Sequence, residues 1–527
     1  MKSSTASAIL SVAAMSSQSL AAFTMDIAKA PPGIPKLLRR NLSPRASVTE
    51  SLVNNATGGS YMATVKVGTP GQQQILAIDT GSSDVWVLDV SADACTDVTI
   101  QSQAEDGCDS TFDPSKSSTF KDVLQDGFYI QYGDGSGAEG DYITDNLAIG
   151  GVTVKTLEMG LAYNATLFQG LLGIGYDTNE ASDDAEDEQD PFIYPSIIDS
   201  MVSQGLISTK AYSLYLNDLQ ASTGSIIFGG MDSDKFHGDL LEMPIVPSPL
   251  GNGTSVYSEF TVALTSFSMT GQAGNTTSLT QGAYDAPVIL DSGTTLTYVP
   301  QPLADLIYEK LNAVDDTQNS GLVFVDCGVS TNSPKTTFNF GFGGSDGVSI
   351  QIPIDEMVFS LDGLFSVDGS ASPDLPFSNT CGLGINGQAE EPYILGDTFL
   401  RSAYVVYDLK NNVIAIAQTN FNSTTSSIID FTADATAIPN VSGVASSVAV
   451  TETATGGLPV GGGHSATSSI TGKPTASGAS GSSSGSSSSS TSKSAAVGSV
   501  PAFDVTALAV FGLSGVFAVL GGGWFLA

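Results

Sequence analysis

Short runs of apolar and β-branched residues, separated by Gly, Asn, Asp and Ser, recur between about residues 50 and 425. Such runs are typical of β-strands bounded by turns. They predict strands most clearly at residues 61–67, 225–228, 404–407 and 413–417. Helical periodicity is scarce, and the clearest helices are predicted at residues 194–204 and 302–311. The pattern therefore predicts a mainly β protein.

Two short acidic-glycine motifs each follow an apolar run. They are Asp79-Thr80-Gly81-Ser82 and Asp291-Ser292-Gly293-Thr294. One such motif is weak evidence, because strands often end in turns of this composition. Two copies, one in each half of the β-rich region, predict a duplicated fold whose halves each bring one carboxylate to a shared cleft.

Paired carboxylates suit one kind of chemistry. Two carboxyl groups within hydrogen-bond reach cannot both ionise easily, so they hold one proton between them. The ionised group can take a proton from water while the protonated group polarises a carbonyl. Asp79 and Asp291 are thus predicted to hydrolyse peptide bonds without a covalent intermediate, a metal or a cofactor. The alternative is that both are ordinary turn residues.

Composition excludes several other functions. The chain has 527 residues and a formal net charge of −36, which argues against nucleic acid as a partner. This acidity suits work at low pH or attraction to basic peptides, and it also suits simple solubility. The two histidines are His237 and His464, and no HExxH motif occurs. A Ser-His-Asp enzyme would have to use His237, and a catalytic zinc site is not expected.

The four cysteines divide evenly between the two halves. Cys95–Cys108 and Cys327–Cys381 are the predicted disulfides, although sequence alone leaves other connectivities open. An even cysteine count without CxxC indicates an oxidising compartment.

Segments outside the β-rich region indicate passage through a secretory route. Residues 1–21 resemble a signal peptide, and residues 22–45 a propeptide that contains Lys36 and ends near the Arg39-Arg40 pair. The lobes are predicted at 46–240 and 241–425. A Ser/Thr/Gly-rich stalk is predicted at 426–494, followed by a GPI-attachment signal at 495–527 that is removed on anchoring. A transmembrane helix is the alternative for this last segment.

Glycosylation sequons are spread along the chain. Candidate acceptors are Asn41, Asn55, Asn164, Asn252, Asn275, Asn422 and Asn440. A stretch at residues 177–190 is dominated by Asp and Glu and is predicted to be a solvated loop, which proteolysis could cut.

Four blocks in this order resemble the pepsin-like aspartic proteases over most of the β-rich region. They are residues 61–87 with the first motif, residues 128–136, residues 171–175 and residues 393–397. The apparent GPI signal and the dibasic pair look most like the fungal yapsin-type, cell-surface branch. The resemblance implies a bilobal pepsin-like fold of two pseudo-symmetric β lobes, with the active site in the cleft between them.

The resemblance also implies a role for each matched residue. Asp79 and Asp291 would be the catalytic dyad, and the hydroxyls of Thr80 and Ser292 would cross-link the two loops. Ser82 and Thr294 would donate to the outer carboxylate oxygens, while Gly81 and Gly293 would allow close approach of the backbone. Residues 128–136 would form a flap that closes over the substrate. Its predicted substrate-binding members are Tyr132, Gly133, Asp134, Gly135 and Ser136, with Trp86 beneath the tyrosine.

Asp134 is predicted to pair with a substrate Lys or Arg, because it lies two residues beyond Tyr132. Apolar subsites are the competing interpretation. The expected protein is a monomeric acid endopeptidase that acts on proteins or peptides at the cell surface or cell wall and is held to the membrane by a GPI lipid. An inactive pepsin-like surface glycoprotein that only binds its partners is the alternative.

Overall fold

The computed structural model describes residues 23–29, 60–101, 108, 110–184, 192–221, 223–250, 254–344, 347–361 and 375–445. The described residues form mainly β-strands, gathered into a 14-stranded sheet, an 8-stranded sheet and smaller sheets. The mainly β fold predicted from the sequence is confirmed.

The first half of the chain contains ten strands in the described part. They are β1 (Phe23–Lys29), β2 (Tyr61–Val67), β3 (Gln72–Asp79), β4 (Val85–Leu88), β5 (Lys121–Gln131), β6 (Gly137–Ile149), β7 (Val152–Ala165), β8 (Gly170–Gly173), β9 (Ala211–Tyr215) and β10 (Thr223–Phe228). Its helices are α1 (Asp93–Thr96), α2 (Val98–Gln101) and α3 (Ile197–Ser203), and 3₁₀ turns lie at Pro114–Lys116, Asp177–Asn179 and Ala181–Asp184.

The second half continues the same pattern. Its strands are β11 (Gly230–Asp232), β12 (Phe236–Pro244), β13 (Ser248–Pro249), β14 (Ser255–Val256), β15 (Thr261–Thr270), β16 (Thr276–Ser278), β17 (Ala286–Leu290), β18 (Thr297–Pro300), β19 (Val314–Asp315), β20 (Val323–Asp326), β21 (Thr337–Phe342), β22 (Val348–Pro353), β23 (Val358–Ser360), β24 (Thr380–Leu383), β25 (Ile385–Gln388), β26 (Tyr393–Leu395), β27 (Ala403–Asp408), β28 (Val413–Thr419), β29 (Ile428–Asp430) and β30 (Gly443–Val444). Its helices are α4 (Gln301–Leu311), α5 (Thr317–Ser320), α6 (Gly328–Asn332), α7 (Ile354–Met357) and α8 (Asp397–Leu400).

The 14-stranded sheet connects the two lobes. Its strand order is β30-β12-β28-β27-β9-β10-β1-β2-β3-β8-β4-β7-β6-β5. Strands β2 to β8 belong to the first lobe. The late strand β27 pairs with β9, and β28 pairs with β27. Strand β1, within the predicted propeptide, is antiparallel to both β10 and β2.

Each lobe contains the same parallel pair of strands at its centre. In the first lobe β3 runs parallel to β8, with Asp79 opposite Gly173. In the second lobe β17 runs parallel to β26, with Leu290 opposite Leu395. The carboxyl-terminal half of β3 and most of β17 are apolar and largely buried, as expected for strands covered on two faces. This repeat is the duplicated bilobal fold that the two motifs predicted.

The predicted strands at 61–67, 225–228, 404–407 and 413–417 are confirmed as β2, β10, β27 and β28. The predicted helices are confirmed as α3 and α4. Helix α3 begins after Ser196, whose hydroxyl accepts the Asp199 N–H at 3.3 Å and so caps the first turn. His237 lies in β12.

Two predicted boundaries do not coincide with the strands. The division at 240/241 falls inside the continuous strand β12. Strands also continue beyond the predicted lobe end at 425, where β29 pairs with β11 and β30 runs parallel to β12. Phe431 and Ile438 are buried between these pairings. These buried apolar residues hold the segment against the lobe. The sequence did not indicate this, because polar residues dominate the composition of the segment.

Both predicted disulfides are present, Cys95–Cys108 with a Cα–Cα distance of 5.3 Å and Cys327–Cys381 with one of 5.0 Å. Within the described ranges, no helix is long and apolar enough to cross a membrane. The predicted signal peptide, most of the propeptide, most of the stalk and the GPI signal lie outside the described residues, as do Asn41, Asn55 and Asn252.

Candidate active site

The ends of β3 and β17 bring the two acidic motifs together. The Thr80 hydroxyl donates to the Leu290 carbonyl at 3.0 Å, and the Ser292 hydroxyl donates to the Ile78 carbonyl at 3.0 Å. The Ser292 N–H donates in turn to the Thr80 hydroxyl at 2.9 Å. Because every bond of this set crosses between lobes, the two loops are held at a fixed separation.

Each carboxylate accepts the same pair of donors from its own loop. Asp79 accepts the Gly81 N–H at 2.8 Å and the Ser82 hydroxyl at 2.5 Å. Asp291 accepts the Gly293 N–H at 2.7 Å and the Thr294 hydroxyl at 2.6 Å. The donors fix the orientation of both carboxyl groups, and the site repeats the symmetry of the fold.

The motif glycines are required by close approach. A Cβ added at Gly81 would lie 2.6 Å from Cγ of Asp291, and one added at Gly293 would lie 2.3 Å from Oδ1 of Asp79. No real side chain tolerates contacts this short, so each glycine lets the opposite carboxyl group fit against the backbone.

The two carboxyl groups interact strongly. Asp79 and Asp291 are both buried, and their side chains lie within hydrogen-bond contact of each other. Burial, followed by the charge of Asp291, raises the pKa of Asp79 well above that of an ordinary aspartate. The donors from Ser82 and Gly81 act in the opposite direction by stabilising the ionised form. The pair can therefore retain one proton in the acid range.

The apolar-Gly segments support these loops from beneath. The Ile174 N–H donates to the Asp79 carbonyl at 2.9 Å, and the Gly175 N–H donates to the Ser82 carbonyl at 2.9 Å. In the second lobe the Asp397 N–H donates to the Thr294 carbonyl at 2.8 Å. Both loops are thereby fixed along their length.

Strands β5 and β6 form a hairpin with Tyr132 at its tip. The turn is closed by the Tyr132 N–H, which donates to the Ser136 carbonyl at 2.7 Å, and Gly135 takes a φ of +83° that favours glycine. The buried Trp86 donates its indole N–H to the Tyr132 hydroxyl at 2.8 Å. This bond connects the hairpin tip to β4.

Asp134 is exposed at the hairpin tip, next to the exposed Gly133. Its Oδ1 atom accepts the Ser136 N–H at 2.8 Å and the Ser136 hydroxyl at 2.6 Å. The carboxylate is therefore held in one orientation, although it lies in a turn.

The start of the acidic stretch was predicted to be solvated, and the structure contradicts this. Asn179 and Glu180 are 2% and 0% exposed. Asn179 donates to the Gly81 carbonyl at 3.1 Å, and Glu180 accepts the Tyr194 N–H at 2.9 Å. The sequence analysis did not identify these two residues as buried, because Asp and Glu dominate the residues around them. The apolar-Gly segment directly before them was the available signal that the chain here is close to the dyad.

Within the described residues, no group of three or more His, Cys, Asp or Glu side chains is arranged to hold a metal ion. The chemistry of the site can be supplied by its two carboxyl groups.

Comparison with known proteins agrees with this geometry. The model of the family described as eukaryotic aspartyl protease matches residues 60–419. The chain belongs to this family. It is accordingly an aspartic-type endopeptidase, and the matched residues include both acidic motifs, the hairpin and both apolar-Gly segments.

Fungal aspartyl proteases are among its similar relatives. The chain is 38% identical to the probable aspartic-type endopeptidase opsB of Aspergillus fumigatus, over 80% of this chain and 81% of that protein. It is 36% identical to secreted aspartic protease 8 of Candida albicans, over 72% of this chain and 81% of that protein. The crystal structure of the aspartic proteinase from Irpex lacteus has a TM-score of 0.52 and 23% identity, over 71% of this chain and 98% of that one, which shows the shared fold.

Proposed function

We propose that this protease hydrolyses peptide bonds with a water molecule activated between Asp79 and Asp291, and that it prefers a basic residue at the cleavage site. The proposed activation of water rests on the paired geometry of the two carboxyl groups. Each is buried, is oriented by two hydrogen-bond donors and lies against the backbone of the other motif. The ionised member takes a proton from water as the oxygen attacks the peptide carbonyl. The protonated member donates to the carbonyl oxygen and stabilises its developing charge.

The hairpin supplies the second requirement of the reaction. Closure over a bound peptide excludes water and completes the site. Tyr132, supported by Trp86, is the proposed contact to the substrate backbone. Gly133 and Gly135 leave room for the peptide, because neither presents a side chain.

The basic preference rests on Asp134. Its carboxylate is exposed at the tip and held by Ser136, so a substrate ammonium or guanidinium group would meet an ordered acceptor. The surplus of acidic residues, 54 against 18 basic ones, would also attract basic peptides.

Asp134→Ala should reduce kcat/KM on substrates with Lys or Arg at the cleavage site by ~10-fold, the scale of one lost charge-assisted bond, and leave Leu and Phe substrates nearly unchanged. The measurement is cleavage of a peptide library between about pH 3 and pH 6, where a shared-proton dyad is expected to work.

Glu139→Ala is the matched control. Glu139 is also exposed and lies on the same hairpin in β6, opposite Tyr129, so this substitution removes the same charge away from the tip. It should leave the ratio of basic to apolar cleavage as in the wild type. If Asp134→Ala loses equal activity on both substrate classes, the proposed basic preference is wrong. If the wild type cleaves between large apolar residues, apolar subsites determine its specificity instead.

We further propose that the protease passes through the secretory route and acts at the cell surface or cell wall as a GPI-anchored monomer. Support comes from the signal-like, stalk-like and GPI-like segments, from the disulfides, and from similarity to a relative that is named a secreted protease. Cleavage after Arg40 would separate the propeptide. Among the sequons, Asn164, Asn275, Asn422 and Asn440 are exposed, and the Asn422 amide donates to Asp218.

A further inference from the structure

Three consecutive side chains, which we call the 178–180 tripod, bind three separate parts of the molecule. The Thr178 hydroxyl donates to the Tyr257 carbonyl at 2.5 Å, on the chain that enters the second lobe. The Asn179 amide donates to the Gly81 carbonyl, and the Glu180 carboxyl accepts the Tyr194 N–H. Since its neighbours are tied on both sides, the Asn179 amide has little freedom to leave Gly81.

The Gly81 carbonyl belongs to the loop that orients Asp79. It stands between the two donors to Asp79, because the Gly81 N–H precedes it and the Ser82 hydroxyl follows it. Glycine has the greatest backbone freedom of any residue, so rotation at Gly81 would displace both donors together. A side-chain donor on this carbonyl restricts that rotation.

We propose that Asn179 is a positioning residue for the dyad, which acts by holding the Gly81 peptide so that both donors remain aligned on Asp79. This inference rests on the proposed catalytic role of Asp79 and Asp291. It assigns a function in the known reaction to a residue that lies outside both acidic motifs and outside the flap.

The burial of the contact supports the assignment. Asn179 is 2% exposed, and its own N–H donates to the Tyr176 carbonyl at 3.0 Å. Water therefore has restricted access to the amide, and loss of the amide leaves the half-buried Gly81 carbonyl without this donor. The Gly175 N–H on the Ser82 carbonyl holds the next peptide, so Asn179 completes a continuous support for the loop.

The test compares Asn179→Leu and Asn179→Asp in the full chain, with kcat and KM measured against pH. Asn179→Leu should lower kcat by ~10-fold or more and change KM much less, because loop alignment rather than substrate contact is lost. The acid limb of the pH dependence of kcat should move to higher pH in this variant, because weaker hydrogen bonds to Asp79 disfavour its ionised form.

Asn179→Asp has nearly the same shape and tests the donor itself. Its carboxyl group can donate to Gly81 only while protonated, so activity should approach that of the wild type at the acid end and fall faster as pH rises. This variant also keeps the test valid if the leucine substitution prevents folding.

Asn386→Leu is the matched control. Asn386 is 3% exposed and donates to the Gly321 carbonyl at 3.1 Å, which is likewise an Asn-to-Gly-carbonyl bond, more deeply buried and in the second lobe. It should lower thermal stability without moving the pH profile. If the Asn179 variants lose activity only in proportion to their folded fraction, or keep the profile of the wild type, the positioning role is wrong. Activity in Asp79→Asn would instead overturn the proposed dyad.

Discussion

Asp79→Asn should abolish measurable peptide hydrolysis and leave the protein folded. The amide has nearly the same shape as the carboxyl group and can still accept the Gly81 N–H through its oxygen. It can neither give up nor take up the shared proton, so the pair can no longer act as an acid and a base together. We expect kcat/KM to fall by at least ~10⁴-fold, as when a member of a concerted catalytic unit is removed.

Stability should change in the opposite direction to activity. Burial and the charge of Asp291 raise the pKa of Asp79, which means that the ionised form of Asp79 is disfavoured in the folded protein. An uncharged amide removes this penalty, so the melting temperature above the acid range should be equal to or higher than that of the wild type. If activity is lost while the melting temperature is retained, the loss comes from the missing carboxyl group and not from unfolding.

Asp145→Asn provides the control for this experiment. Asp145 is a buried aspartate in β6 that accepts the Thr119 hydroxyl at 2.5 Å, outside the dyad. It should retain activity in proportion to its folded fraction. Residual hydrolysis by Asp79→Asn above about 1% of the wild-type rate, with contaminating proteases excluded, would contradict the assigned role of the carboxylate.

The dyad was predictable because its signal is local. An apolar strand, an acidic residue and a glycine follow one another directly in each motif, and the fold then requires the two copies to meet. The cross-lobe bonds of Thr80 and Ser292 were expected from the resemblance to the pepsin-like proteases rather than from the local pattern.

The tripod was not predictable in this way. Its contacts join residues that are far apart in sequence, as Asn179 with Gly81 and Thr178 with Tyr257. Composition registers only that the surrounding stretch is acidic, and most acidic stretches are solvated. The folded end of the second lobe was missed for a related reason, because a few buried residues such as Phe431 outweigh many polar ones.

Glu180→Gln should stabilise the protein at neutral pH and have little effect near pH 3. Burial raises the pKa of Glu180 from 4.5 to about 10, so the folded protein keeps a proton that the unfolded chain releases. The contribution of Glu180 to the free energy of unfolding is therefore fully present below about pH 4.5. It is lost progressively as the pH rises toward the folded pKa. Glutamine does not titrate and removes the decline. One-proton linkage sets the gain at no more than about 3.5 kcal/mol at pH 7.

The surroundings of Glu180 reinforce this direction. Asp84, Asp177 and Asp199 each act on Glu180 to raise its pKa, whereas the Tyr194 N–H lowers it. Asp84 is itself buried, and its pKa is raised by burial although it accepts the Tyr194 hydroxyl at 2.6 Å. Asp199 is itself paired with Lys210.

A loss of packing at Glu180 would be transmitted to the flap. The Tyr194 ring lies 5.6 Å from that of Tyr142, and the Tyr142 ring lies 5.4 Å from that of Phe128 in the hairpin strand β5. These edge-on contacts connect Tyr194, whose N–H binds Glu180, to Phe128 in the strand that leads to the flap tip. Ionisation of Glu180 should therefore loosen the flap as well as the stretch, and the upper pH limit of activity should follow the upper pH limit of stability.

The measurement is the free energy of unfolding from urea titrations at about pH 3, 5 and 7, with the half-life of activity recorded at each pH. Glu180→Gln should match the wild type at the lowest pH and exceed it increasingly as pH rises. Glu139→Gln removes the same charge from an exposed site and should leave the pH dependence of unfolding unchanged. If the two variants behave alike, general relief of negative charge explains the gain. If only Glu180→Gln flattens the pH dependence, the buried carboxyl group limits this protease to acid conditions.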